Sequence, residues 1–205
     1  KIYNNSPDNR ILKQCIPNMI SFEHASGTCF RKRSEMIAHL HADTGGRAKV
    51  LSAELLIDGV AVAATGKATF DRLDPVTREV ATRAAAASVE DAIHAANVAA
   101  RAFPVWSATP PTQRRACLNR SADLLLARTD DFVEAIISET GGTRGWAIFN
   151  CQLAANILRE AAAMTTQLNG ETIPSDKPGS FAMSTRQPCG VVLSMAPWNA
   201  PVILA

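Results

Sequence analysis

A chain of 205 residues, 47% hydrophobic and 20% charged, is long enough to bury the core of one or two globular domains. Its net charge of +2 gives no electrostatic reason for a nucleic-acid partner or a membrane surface. Five cysteines at irregular spacing do not read as a disulfide framework, and no apolar run approaches the ~20 residues that span a bilayer. With no charged-then-apolar leader either, the expected compartment is the cytoplasm.

The basic character is confined to the start. Residues 1–50 hold 8 Lys and Arg against 4 Asp and Glu, and residues 51–205 hold 13 against 15. The first segment lacks sustained hydrophobic period and reads as a disordered or non-native extension, such as upstream DNA translated in frame. Cys15, Cys29, His39 and His41 suggest zinc, but Cys15 and Cys29 lie too far apart for the close ligand pairs of structural sites, so no metal is expected. The Arg31-Lys32-Arg33 run reads as a solvated surface.

From Glu54 the pattern becomes regular. Glu54–Asp58 and Val60–Val62 predict a hairpin around Gly59. Thr69–Leu73 and Glu79–Arg83 predict two more strands flanking an Asp74-Pro75 turn. Ser88 and Asp91 form a capping-box variant for a helix with an apolar face from Val89 to Phe103, which Pro104 is predicted to stop.

Pro110-Pro111 opens a second helix that buries Leu118, Ala122 and Leu125. Thr129 is predicted to cap a third, which ends at Gly141-Gly142. A long helix follows from about Arg144 to Leu168. Ser180–Gln187 then reads as an extended strand, and Val191–Met195 as a short apolar strand buried on both faces.

Pro197 forces a turn after that last strand and presents Asn199 at its C-terminal end. Two roles fit an asparagine there. Its side-chain N–H groups can hold a developing oxyanion, or its side chain can cap the next helix.

The stretch Gly190-Val-Val-Leu-Ser-Met-Ala-Pro-Trp-Asn-Ala-Pro201 resembles the segment by which NAD(P)-dependent aldehyde dehydrogenases enter their cofactor domain. Other motifs of that family stand upstream in the same order: Leu56-Ile57-Asp58-Gly59, Asp74-Pro75-Val76-Thr77, Arg101-Ala102-Phe103 with Trp106, Gln113-Arg114-Arg115, Glu139-Thr140-Gly141-Gly142 and Arg186-Gln187-Pro188-Cys189-Gly190. Within the family, Gly170–Asp176 and Asn156–Ala161 most resemble the aromatic-aldehyde branch, the salicylaldehyde and vanillin type.

The resemblance covers residues 52–205. It implies an α/β fold, the N-terminal portion of the aldehyde dehydrogenase fold, truncated: a β-strand arm, a helical layer and the first strand of the Rossmann-like cofactor domain. Residues 51–205 would form that portion, with part of the oligomerisation strand pair at about 179–188. By the same resemblance, Asn199 is the catalytic oxyanion donor, and Met195, Ala196, Pro197 and Trp198 line the NAD or NADP cofactor. Phe149, Asn150, Leu153 and Arg159 border the substrate tunnel, although helix packing explains Phe149 and Leu153 equally well.

The implied reaction is oxidation of an aldehyde, a small molecule, by a homo-oligomer. Family members carry a nucleophilic cysteine and a general-base glutamate far downstream of the Pro-Trp-Asn turn, whereas six residues follow Asn199 here. The chain is therefore expected to be inactive by itself. The alternative is a non-catalytic interaction module that pairs through an exposed strand at 180–187.

Overall fold

The computed structural model describes residues 50–205. The basic N-terminal segment, with its zinc candidates Cys15, Cys29, His39 and His41, lies outside the described residues.

Two short strands, β2 (Leu55–Ile57) and β3 (Val60–Val62), form the predicted hairpin. Its two-residue loop, Asp58-Gly59, has φ of 57° and 72°, the left-handed conformation such loops demand and these residue types tolerate. β1 (Leu51–Ala53), which the pattern did not predict, lies parallel to β5 (Val80–Ala85), and β5 pairs antiparallel with β4 (Thr69–Leu73). The sheet order is β1-β5-β4.

Alternation along β4 and β5 separates two charged pairs. Asp71 lies opposite Arg83, and their side chains form an exposed ion pair at 2.7 Å. One residue along, Arg72 lies opposite Thr82, on the other face of the sheet, and both reach Glu139 of α3.

Four helices follow: α1 (Val89–Ala108), α2 (Pro111–Ala127), α3 (Thr129–Thr140) and α4 (Arg144–Met164). The capping box of α1 forms as expected. Ser88 Oγ accepts from the Asp91 amide, and Asp91 Oδ2 accepts from the Ser88 amide. Pro104 does not stop α1, contrary to expectation. It sits inside the helix at an exposed position, and Ala100, whose carbonyl loses its helical partner, is exposed to solvent as well. The stop comes at Thr109, just before Pro110. The apolar face of α1 exists, but none of its residues is buried among the described residues.

Thr129 likewise is not a cap. It is the first residue of α3, and its hydroxyl donates back to the Leu126 carbonyl. α4 is capped instead by Thr143, whose Oγ1 accepts from the Trp146 amide. None of the described helices is long and apolar enough to cross a membrane.

The main core joins α2, α3 and α4. Ala122 and Leu125 meet Val133 and Ile136, then Ala147, Ala154 and Ala155. Alanine at these contacts lets α2 and α4 approach closely. Arg115 of α2 then reaches across to the end of α4, where its guanidinium donates to the Ala162 carbonyl at 3.2 Å and to Thr166 Oγ1 at 2.7 Å. The Ala162 carbonyl, in the last turn where regular helical partners run out, also accepts from the amide and hydroxyl of the C-cap Thr165.

After α4, β6 (Glu171–Ile173) pairs antiparallel with β7 (Ala182–Ser184). The strand predicted at 180–187 is thus shorter and pairs with β6 on one side. Val191–Met195 is not a strand. A ladder needs a neighbour for its N–H and C=O groups, and among the described residues no strand lies beside it.

Asp91 also ties α1 to the arm, accepting from the Thr65 amide at 3.0 Å and the Thr65 hydroxyl at 2.8 Å. The bond from the Ser88 amide chiefly, and then these two from Thr65, hold its carboxyl down at about 2, against an ordinary 3.8. The folded carboxylate therefore binds its proton less readily than the unfolded one, so its stabilisation is intact above about pH 4 and fades as pH falls toward 2. Protection of the amides in the first turns of α1, measured relative to their intrinsic exchange at each pH, should fall over that interval. In Asp91→Asn that protection should already be low at neutral pH and should not fall further between about pH 4 and 2.

Candidate active site around the Pro-Trp-Asn turn

The chain from Ala196 to Val202 crosses the helical layer and is pinned at both ends. Ala196 is buried on one flank, and Ala200, Pro201 and Val202 are buried on the other. Val202 enters the α2–α3–α4 core, and the Leu204 amide donates to the Ala200 carbonyl at 3.1 Å. Between these anchors Pro197, Trp198 and Asn199 stand exposed. Trp198 keeps 60% of its surface accessible and Met195 keeps 79%.

Helix α4 delivers its N-terminal side chains to this turn. The indole Nε1–H of Trp146 donates to the backbone carbonyl of Asn199 at 3.1 Å. Phe149 stacks on Trp146, with ring centroids 5.5 Å apart and planes 28° apart. The result is a partly exposed aromatic surface beside Asn199.

The other tunnel candidates have different surroundings. Asn150 is fully buried, its Nδ2 donating to the Trp146 carbonyl at 3.0 Å. Leu153 is half-buried one turn beyond Phe149. Arg159 lies thirteen residues past Trp146, about 20 Å along the helix axis, and pairs with Asp123 of α2 at 3.0 Å. The structure therefore gathers Phe149 and Asn199 around Trp146 and leaves Arg159 away from them.

Beneath the turn lies a cavity of about 30 Å³, bordered by Ala196, Pro197 and Trp198 above and by Arg72, Phe132 and Glu139 below. It has room for a water molecule but not for a substituted benzene ring. Its floor is the polar cluster of the fold. Glu139 binds the Arg72 guanidinium at 2.9 Å and accepts from Thr82 Oγ1 at 2.5 Å, with both charged side chains only 11% exposed. Sequence reasoning missed Arg72 and Thr82 here, although Glu139 stood in a quoted motif. Gly141 follows with φ of 69°, and Pro75 packs so close that a Cβ at Gly141 would lie 2.9 Å from its Cγ. The Asp74-Pro75 and Glu139–Gly142 motifs are thus in contact.

No described cysteine is placed as a nucleophile at the turn by sequence position. Cys117 and Cys151 belong to helices, Cys151 is buried, and burial pushes its thiol up from the ordinary value. Cys189 is exposed, ten residues before Asn199.

The fold and the turn define a chain of mixed helix and strand that ends a helical layer in a pinned Pro-Trp-Asn crest. Residues 62–205 match the aldehyde dehydrogenase family, and the chain belongs to it. It is 56% identical over 156 residues to a vanillin dehydrogenase of Pseudomonas fluorescens, covering 76% of this chain and 32% of the relative. A salicylaldehyde dehydrogenase of Pseudomonas putida is 41% identical over 155 residues, again 76% of this chain and 32% of the relative. The crystal structure of a salicylaldehyde dehydrogenase from Pseudomonas putida G7, complexed with salicylaldehyde, superposes with a TM-score of 0.74 at 42% identity. That superposition covers 75% of this chain and 32% of the solved one. The chain spans about a third of the length of the curated relatives it matches, and its structure corresponds to their N-terminal portion.

The polar floor generates a stability test. Glu139→Ala should cost about 3 kcal/mol, because it strands the Arg72 charge where water scarcely reaches. Replacing both partners, Arg72→Met with Glu139→Leu, should recover more than half of that loss. Urea unfolding midpoints of the single and double variants check both figures.

Proposed function

We propose that residues 51–205 are the N-terminal portion of an NAD(P)-dependent dehydrogenase that oxidises aromatic aldehydes to carboxylic acids in the cytoplasm, and that Asn199 is its side-chain oxyanion donor. The observation that carries this reading is the Trp146–Asn199 hydrogen bond, which sets a stacked aromatic pair beside the residue proposed to hold the aldehyde oxygen. An aromatic aldehyde has two features to recognise, a flat apolar ring and a carbonyl oxygen that gains charge. Phe149, with Leu153 behind it on the same helix face, would receive the ring, and the Asn199 amide would receive the oxygen. The vanillin and salicylaldehyde names of the relatives support the same substrate class.

The residues present also fit a nicotinamide cofactor. Met195 and Trp198 offer exposed, uncharged, polarizable faces, Pro197 adds exposed surface without bulk, and the buried Ala196 anchors the segment between them. Bound NAD(P) supplies the hydride acceptor, and these four residues would hold it beside Asn199. The family's nucleophilic cysteine and general base belong to the two-thirds of the relatives that this chain does not span. Isolated, the 205-residue chain would therefore bring donor and walls together without completing the reaction. In the complete enzyme, a homo-oligomer, the β6–β7 hairpin would take part in subunit pairing.

Two measurements check this. The pure chain should give no aldehyde-dependent NADH or NADPH. A chimera of residues 51–205 with the remaining two-thirds of the P. fluorescens vanillin dehydrogenase should oxidise vanillin, and Asn199→Ala should lower its kcat roughly 100–1000-fold. The KM for cofactor should move by no more than about threefold, because the amide acts chiefly on the charged transition state. A near-normal kcat in that variant would make Asn199 a turn residue.

A further inference from the structure

Burial fixes the flanks of the Pro-Trp-Asn turn but not its crest, since Pro197, Trp198 and Asn199 are all exposed. An exposed asparagine ordinarily samples several χ1 rotamers. A donor that must meet an oxyanion within a few tenths of an ångström cannot afford that freedom. The crest does have a tie. Trp146 Nε1–H donates to the Asn199 carbonyl at 3.1 Å, which restrains the peptide plane between Asn199 and the buried Ala200 and so narrows the backbone conformations from which the Asn199 side chain can start.

Trp146 itself is held from three sides. Its amide donates to Thr143 Oγ1 at 3.2 Å, its carbonyl accepts from the buried Asn150 Nδ2 at 3.0 Å, and its ring stacks on Phe149. The rigid start of α4 is thereby extended to the crest of the turn. We infer that Trp146 is a positioning residue for Asn199, its indole N–H holding the Asn199 carbonyl and thereby aiming the side-chain amide, a role that presupposes Asn199 as the oxyanion donor proposed above. A wall for the substrate needs only the ring of Trp146. Positioning needs the N–H, and the two requirements separate by substitution.

Trp146→Phe keeps an aromatic ring against Phe149 and removes the donor, whereas Phe149→Leu removes the stack and keeps the donor. The test is nuclear magnetic resonance on the isotopically labelled 205-residue chain. In the wild type, the Trp146 indole N–H should exchange with solvent at least about tenfold more slowly than that of the exposed Trp198, as a hydrogen-bonded group does. The χ1 couplings of Asn199 should report a single rotamer in the wild type and in Phe149→Leu, and an average in Trp146→Phe. The circular dichroism of Trp146→Phe should match the wild type, with Tm lower by roughly 2–4 °C for one lost hydrogen bond.

Equal exchange of the two indole protons, or an unchanged Asn199 rotamer in Trp146→Phe, overturns the role. Should Trp146→Phe fail to fold, the wild-type exchange ratio and the Asn199 rotamer in the wild type and Phe149→Leu decide it. None of these readouts involves turnover, so their failure is distinct from a failure of the kinetic test on Asn199→Ala.

Discussion

The layout of this chain depends on one carboxylate. Glu139, near the end of α3, meets Arg72 and Thr82, which face each other across the β4–β5 ladder. A charge with so little access to water is stable only if its partners are in place, so the sheet can sit against α3 in few other ways. An apolar contact of the same area would be stronger per atom but would permit sliding. The ion pair instead specifies a register, Arg72 opposite Thr82, and a one-residue slip of either strand would turn its own residue away from the helix.

That register reaches the candidate site through the cavity above it. Glu139 and Arg72 form the floor on which Ala196, Pro197 and Trp198 rest, and Phe132 of the same helix contributes to its wall. The turn is thus supported from below by the sheet–helix junction and drawn in at its far end by Val202, which packs into the helical core. Trp146 supplies the third point of attachment from the side. A segment with no regular hydrogen-bonded structure is fixed by three separate elements of the fold.

Local rules made much of this legible in the sequence. The capping box at Ser88, the Asp58-Gly59 turn and the glycine end of α3 depend on residues within a few positions of one another, and each formed as read. Pro104 misled because its cost depends on where the freed carbonyl points, and here that side faces water. The Val191–Met195 segment misled for the opposite reason, whereas the strand read at 180–187 does form, over Ala182–Ser184. Whether an apolar run becomes a strand is decided by a neighbour, and neighbours are not written in the run itself: β7 has β6, and Val191–Met195 has none among the described residues. At the site, the Pro-Trp-Asn turn stood out through its motif. The pairing of Trp146 with Asn199 spans fifty-three residues and left no periodic trace.

Stiffness is graded along the final segment in a way that suits a division of labour. Val191 to Met195 is exposed and outside any sheet, the crest is exposed but hydrogen-bonded, and Ala200 to Val202 is buried. Residues that line a cofactor through their faces tolerate adjustment, because apolar contact is non-directional. A hydrogen-bond donor to an oxyanion does not, because its contribution falls steeply with angle and distance. Asn199, the proposed donor, stands between two buried anchors, Ala196 and Ala200, with its carbonyl held by Trp146. Met195, proposed to act through its surface, stands one step outside the first of those anchors.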